Sequence, residues 1–578
     1  MAKAIFGTHS IQSSGLPLVF DHPLRVFSTS ALKDVISLLN ELEEASMSGY
    51  WVVLMLSYEA APAFDRSLRT YSPTEFPILW AAVFSAPSAP NLSYENGDYS
   101  VGKWEPQIDR SKYIESIGLI HDLIARGHTY QVNYTFPQTS TFHGNALAWY
   151  VDLCHAQGAD LCAYLDLGRY QVLSLSPELF FERKGKFVLT KPMKGTIKRG
   201  RWGSEDREMA TKLQTSTKDR AENVMIVDLL RNDLGKVSIA GSVRVTKLFE
   251  VERFETLWQM TSTVESTLCE NVTLADLFAA LFPCGSITGA PKIRTMEIIR
   301  KLETSARGVY TGAIGLIRPG GYCRFNVAIR TVVIDSQTNA VTFGVGGGIT
   351  IDSTAEREYK ECLLKSSFLN ASAARFRLLE TILLDHGELF LLGRHLERLQ
   401  ASADYFGFQF SRERVLAELN HATARHSSGI WKVRLLLANN GEVEIDITKI
   451  KASPQNSLQV CVAPVSVDSS NRFLFHKTTN REIYDEACAA RPDCDDVILW
   501  NEHGEITEST VANIVIPIQG QLWTPPLSSG LLAGTFRAEL LAKGKIQERV
   551  ITIEELHQAK DFFLINSVRK CTPAKLVY

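Results

Sequence analysis

A chain of 578 residues cannot gather its apolar side chains around one hydrophobic core. Single cores stop growing at roughly 250–300 residues, beyond which chains divide into domains, so length predicts two to four of them. A change of pattern marks the division. Up to residue 371, short apolar runs and helical stretches follow one another without regular alternation. Beyond that, LLETILLDHGELFLL reads as strand, Gly turn and strand, followed by a helix over Gly393–Tyr405. The boundary is placed near Ser372, giving domains at 1–371 and 372–578. No flexible linker marks it, so close packing is expected.

The first part predicts helices near Leu32–Ala45, 110–126, 217–234, 289–304 and 354–370. Strands are predicted at YQVNYTF, QVLSLS, KFVLT, VSIAGSVRV, GAIGLI, RFNVAIRTVVI and AVTFGV. This is an α+β pattern rather than a series of βαβ units. A hydrophobic fraction of 45%, a charged fraction of 22% and a net charge of -3 describe an ordinary globular protein. Without a Lys/Arg-rich run there is no reason to expect nucleic acid or an anionic membrane as partner. The start, MAKAIFGTHS, lacks a signal-peptide core, and the longest apolar runs, such as Trp51–Leu56, have strand length. The ten cysteines show no CxxC pair, which predicts reduced thiols and a cytoplasmic setting.

Two helical segments carry paired acids. In TSTKDRAENVMIVDLLRNDLGKV, Ser216 or Thr217 can cap a helix that shows Asp219 and Glu222 on one face. In DSTAEREYKECLLK, Ser353 and Glu356 fit a capping box, and Glu358 and Glu361 share a face. Facing each other, such pairs can make an oxygen-rich site for Mg²⁺. Either pair alone is equally explained by the helix dipole. Arg330 lies in a strand-like run and can pair bidentately with a carboxylate. GVGGGI (344–349) has glycines where a ligand can approach the backbone. FPCGSITGAPKIRTMEIIRKLE is a Gly-punctuated turn entering a helix, whose amides can hold an anion.

In this order, YQVNYT, SLSPELFF, KPMKGT, AENVMIVDLLRNDLGKV, GSITGAPKIRTMEIIRKLE and GVGGGITIDS resemble the chorismate-utilising enzymes over roughly residues 20–370. The resemblance implies a layered β-sandwich with helices around a deep pocket. It assigns Glu222 and Glu361 to Mg²⁺, with Asp219 and Glu358 as the supporting acidic pair. Asp219 replaces the usual Glu, which implies a water-mediated role. Arg330 and the amides of Gly346, Gly347 and Gly348 match the chorismate carboxylate site, and Tyr310, Ser286 and Lys365 match other pocket positions. Lys194 resembles the nucleophilic lysine of the members that aminate chorismate at C4, where anthranilate synthases usually have Ala. Gln259 stands where anthranilate synthases carry His, so only a hydrogen-bonding role is expected of it. No glutaminase signature is present, so the family implies a separate amidotransferase partner.

The second part carries Lys477 in FHKTTNREIYDEA, Glu508 in EITESTVANIVI, Gly534 and Thr535 in GLLAGTFRAELL, and Arg398 in HLERLQASADYFGF. A lysine, an acid and phosphate anchors are what pyridoxal phosphate needs, although singly each is an ordinary surface residue. Together they resemble the class IV aminotransferases, with an α/β fold. The run Lys477–Arg481 is closer to 4-amino-4-deoxychorismate lyases. The implied roles are Schiff-base formation for Lys477, a hold on the pyridine nitrogen for Glu508, and phosphate binding for Arg398, Gly534 and Thr535. The family's usual first strands are missing, and the preceding domain is expected to replace them. A homodimer through this region is also implied. Two alternatives stay open: an anthranilate synthase component fused to an aminotransferase, and a C-terminal domain without catalysis.

Overall fold

In the computed structural model, residues 3–7, 17–88, 97–370, 376–450, 457–559 and 561–577 are described. The chain divides into two compact units, Met1–Arg199 with Met209–Ala373, and Gly200–Glu208 with Ala374–Tyr578. The expected boundary residue Ser372 lies outside the described residues. The sequence pattern also gave no hint that Gly200–Glu208 belong to the second unit.

The first unit is built on two ten-stranded sheets. One core, with Val53, Met55, Trp80, Ala163, Leu165 and Ile314, draws its side chains from both sheets and packs them together. A second core packs Val35, Leu39, Leu277 and Phe278 of the helices Val35–Met47 and Leu274–Leu281 on one sheet. A third packs Tyr113, Ile117, Trp149 and Cys362 of three further helices on the other. Helices on sheets around apolar layers make the expected α+β sandwich.

Several local expectations are corrected. VSIAGSVRV is not one strand: the strand runs Arg244–Arg253, after a turn in which Gly241 takes φ +78°. RFNVAIRTVVI is broken into Cys323–Val327 and Thr331–Asp335, and Arg330 between them has φ +51°. The helix expected from 289 starts at Lys292, because Gly289 and Ala290 pair with Val132 and Gln131 as a short strand. Ser353 does not cap the helix Ala355–Ser366. Thr354 holds the cap position, Ser353 Oγ accepts from Thr350 N, and Glu356 pairs with Arg110 instead.

The second unit contains a four-stranded and an eight-stranded sheet. In the larger one, Leu458–Val462 lies parallel to both Asp496–Trp500 and Lys570–Leu576. That pairing brings Cys461 and Cys494 together as a disulfide with Cα atoms 6.0 Å apart, correcting the expectation of reduced thiols throughout. Their separation of 33 residues gave no spacing signal, and the other eight cysteines are free. Among the described residues no helix is long and apolar enough to cross a membrane.

Candidate functional site

In the first unit, Gln131–Gly144 and Ala340–Ile349 pair antiparallel, setting Gly346, Gly347 and Gly348 opposite Thr135, Tyr134 and Asn133. The glycines are there for space. A Cβ on Gly348 would come within 2.3 Å of Lys194 Nζ and 2.8 Å of Gln131 Nε2. Only glycine lets the amine lie against this strand. A Cβ on Gly347 would meet Glu358 Oε2 at 3.2 Å and Lys365 Nζ at 3.7 Å.

Lys194 is placed by the strand Met193–Lys198, whose register shifts between Met193 and Thr196, and Gly195 there (φ +92°) packs against Asp219. Burial lowers the pKa of Lys194, with the charge of Lys365 adding to the effect and Glu222, Glu361 and Glu178 opposing it. Gln259 Nε2 donates to Gly195 O (2.8 Å) and its Oε1 accepts from Thr196 Oγ1 (2.9 Å). It therefore braces the main chain beside Lys194, which gives the expected hydrogen-bonding residue a specific task.

The helix Thr217–Gly235 begins with Ser216 accepting from Asp219 N. It presents half-buried Glu222, raised by burial, with Lys218 Nζ 3.8 Å away. The helix Ala355–Ser366 presents Glu358 and Glu361. Glu361 pairs with Lys365 at 2.9 Å, and that charge holds its carboxyl below the usual range. No three of these four carboxylates come within 4.8 Å of one another among the described residues. Mg²⁺ needs only one or two carboxylates, completed by waters and substrate oxygens, so this donor set fits it.

Lys365 Nζ also donates to Gly346 O (2.9 Å), and Arg330 Nη1 donates to Lys365 O. Burial lowers Arg330 to about 10. The ring of Tyr310 fills the space over Gly344, where a Cβ would lie 2.2 Å from it, and burial raises its phenol. Ser286 Oγ donates to Glu178 Oε1 at 2.6 Å. The structure thus gathers the expected residues of this domain into one cluster.

Two residues of the cluster escaped the sequence reading. Glu178 is buried, and burial pushes it up to about 7 against the hydrogen bond from Ser286 and the charge of Lys194. Gln131 is fully buried beside Lys194 Nζ, and neither amide atom has a hydrogen-bond partner. A lone acid in the apolar run LSPELFF and a lone amide ahead of a buried strand were the available signals.

In the second unit, Glu380 on the strand Leu378–Asp385 receives two bonds from Arg398 (2.8 and 2.7 Å) and lies 2.6 Å from His395 Nδ1. Burial would raise Glu380, but these two groups hold it down at about 2. Arg398 Nη1 donates to Ala533 O (3.0 Å), beside the N-terminus of the helix Thr535–Ala542. Gly534 caps that helix, and a Cβ there would strike Asn513 Oδ1 at 1.9 Å.

Glu508 is buried and accepts from Tyr484 Oη (2.9 Å), Asn513 Nδ2 (3.1 Å) and Leu532 N (3.1 Å). Burial pushes it up to about 7. Lys477 is brought down to about 8, by burial first and then by Arg398 and Arg481. A poised amine, a buried acid and an arginine beside a helix N-terminus are the parts that pyridoxal phosphate requires, so these residues fit that group.

Similarity to known proteins follows the same division. Residues 21–371 match the chorismate binding enzyme family, and residues 377–577 match amino-transferase class IV. The chain is 41% identical over 259 residues to aminodeoxychorismate synthase component 1 of Escherichia coli (strain K12), covering 45% of this chain and 56% of that protein. It is 35% identical over 303 residues to the protein of that name from Bacillus subtilis (strain 168), covering 52% and 63%. It thus spans less than two thirds of each. The crystal structure of anthranilate synthase component I from Streptococcus pneumoniae TIGR4 superposes with a TM-score of 0.54 at 25% identity, covering 63% of this chain and 95% of that one. The first domain accounts for more than half of the polypeptide, and through it the chain belongs to the chorismate binding enzyme family.

Proposed function

We propose that the chain makes p-aminobenzoate in two steps. The first unit converts chorismate and ammonia to 4-amino-4-deoxychorismate, and the second removes pyruvate from that product. The observation that carries the reading is Lys194, a half-buried lysine whose amine lies against Gly348 among Glu178, Glu222 and Glu361. The similarity to two aminodeoxychorismate synthase components supports it.

Arg330, with the strand edge at Gly346–Gly348, holds a substrate carboxylate. Lys194, its pKa lowered by burial, attacks ring C2 in its neutral form as the double bonds shift and the C4 hydroxyl departs. Glu178, near its own pKa at neutral pH, donates the proton that lets this oxygen leave as water. Ammonia then bonds to C4 and loses a proton. The double bonds shift back, the C2–N bond breaks, and Lys194 leaves with a proton. Glu222 and Glu361 would hold Mg²⁺, with Asp219 and Glu358 behind them. There the ion would neutralise the ring carboxylate and polarise the ring. A partner amidotransferase supplies the ammonia, with free ammonium as the substitute.

In the second unit, Arg398, Gly534 and Thr535 would hold the cofactor phosphate and Glu508 its ring nitrogen. Bound pyridoxal phosphate supplies the electron sink for elimination. Lys477 can take a proton from the substrate carbon and return one, since its pKa of about 8 suits both directions. A homodimer through this unit is part of the same reading.

Incubation with chorismate, ammonium and Mg²⁺ but no pyridoxal phosphate tests the first step. It should accumulate 4-amino-4-deoxychorismate, whereas anthranilate as the main product would overturn the reading. Glu222→Gln and Glu361→Gln should lose activity and Mg²⁺ dependence more severely than Asp219→Asn, for which a loss of about 10–100-fold is typical of a supporting ligand. Mg²⁺ titration of each variant checks this, and equal, small effects would favour the helix-dipole role.

The pH profile gives a further expectation. Lys194 works deprotonated, so the rate climbs with pH. Glu178 works protonated, so the rate falls as pH rises through about 7. Glu178→Gln should slow the first step about 100-fold and remove the alkaline limb, measured at a fixed concentration of neutral ammonia. An unchanged alkaline limb would exclude Glu178 as the donor.

A further inference from the structure

Residues Gly200–Glu208 stand far outside the class IV match at 377–577, yet they fold with the second unit. Trp202 packs on Phe475 with ring centroids 5.0 Å apart and borders the small core of Leu474, Phe475, Tyr484 and Val497. Arg201 lies over both rings, 4.7 Å from Trp202 and 5.4 Å from Phe475. Its guanidinium is fixed by Glu205 (Nη2–Oε1 2.9 Å) and donates to the main-chain oxygens of Ser469 (3.4 Å) and Ser528 (3.3 Å). Gly200 O accepts from Tyr405 Oη at 2.7 Å, and the Tyr405 ring lies 4.3 Å from that of His476. The two residues immediately before Lys477 are therefore both braced by this segment, Phe475 directly and His476 through Tyr405.

We propose that Gly200–Glu208 is a positioning element of the second site, holding the main chain that presents Lys477. The inference rests on the reading of Lys477 as the cofactor lysine. Aromatic pairs are worth about 0.5–1.5 kcal/mol beyond the area they bury, and Arg201 adds a cation–π contact on each ring. Within the site, Lys477 faces Arg398, Glu380, Arg481 and Glu508. Without its support the lysine gains water and conformers and moves toward an ordinary, protonated lysine. The segment also follows Lys194 closely in the chain, so one stretch of sequence serves both units.

Trp202→Ala and Tyr405→Phe, made in the full chain, test this. The second keeps the ring on His476 and deletes the bond to Gly200 O. Cofactor-free protein is acetylated with limiting acetic anhydride across a pH series, with Lys477 read by mass spectrometry. Pyridoxal phosphate is titrated separately by absorbance. Trp202→Ala should raise the half-modification pH of Lys477 by about one unit and weaken cofactor binding about tenfold. Tyr405→Phe should shift both in the same direction by less. Both variants should still consume chorismate. If Trp202→Ala does not fold, Tyr405→Phe decides. Parental values of both readouts in the folded variants would overturn the proposal. A parent that binds no pyridoxal phosphate, while Lys477 still shifts in the variants, would instead overturn the cofactor reading and support the brace.

Discussion

Lys194→Ala should lower 4-amino-4-deoxychorismate formation about a thousandfold, roughly 4 kcal/mol of barrier, while the chain stays folded. The fold should survive because Lys194 is half-buried at the end of a strand and belongs to none of the apolar cores. The chemistry should not survive, because alanine brings no amine to the place that Lys194 Nζ takes against Gly348. The emptied space beside Gln131 leaves room for ammonia, and direct attack at C2 would then give some anthranilate-type product. Chromatography of the products from chorismate, ammonium and Mg²⁺ measures both effects. Unchanged turnover to 4-amino-4-deoxychorismate would remove the covalent role.

Lys477→Ala should reduce p-aminobenzoate release by at least about a thousandfold, again roughly 4 kcal/mol, without stopping chorismate consumption. The intermediate should accumulate, and an added, independent 4-amino-4-deoxychorismate lyase should convert it. In the parent protein, borohydride should fix the cofactor on the peptide containing Lys477. Label on another lysine would move the cofactor site. Normal p-aminobenzoate formation by the variant would revive a non-catalytic second unit. The depressed pKa of Lys477, about 8, makes the fixed position specific. Most lysines remain protonated at neutral pH and react slowly.

Much of the site was legible because its residues sit in runs whose order and spacing the fold needs. Gly348 had to be small because Lys194 and Gln131 crowd that strand, and Gly346 because Tyr134 and Thr135 do, and glycine is visible in a sequence. The acidic pairs were visible at helical spacing. What escaped depends on tertiary contacts. Glu178 acts through burial and Ser286, more than 100 residues away. Gln131 matters because its amide is left without a partner, which no local pattern encodes. Glu380 was hidden in a strand, where its two partners come from the helix Leu392–Phe406. The same limit applies to the fold. Arg330 breaks its strand with a positive φ, a conformation that few non-glycine residues adopt. Residues 200–208 join a unit whose remaining residues begin at Ala374. The disulfide closes across a parallel pairing that no cysteine spacing announced.

The central claim is that one polypeptide carries chorismate to p-aminobenzoate with nitrogen placed at C4. The direct test supplies the purified chain with chorismate, ¹⁵N-ammonium, Mg²⁺ and pyridoxal phosphate, and identifies the products by chromatography and mass spectrometry. The account predicts p-aminobenzoate carrying one ¹⁵N, with pyruvate released in equal amount. Labelled anthranilate as the main product, or an aromatic product without ¹⁵N, would contradict it.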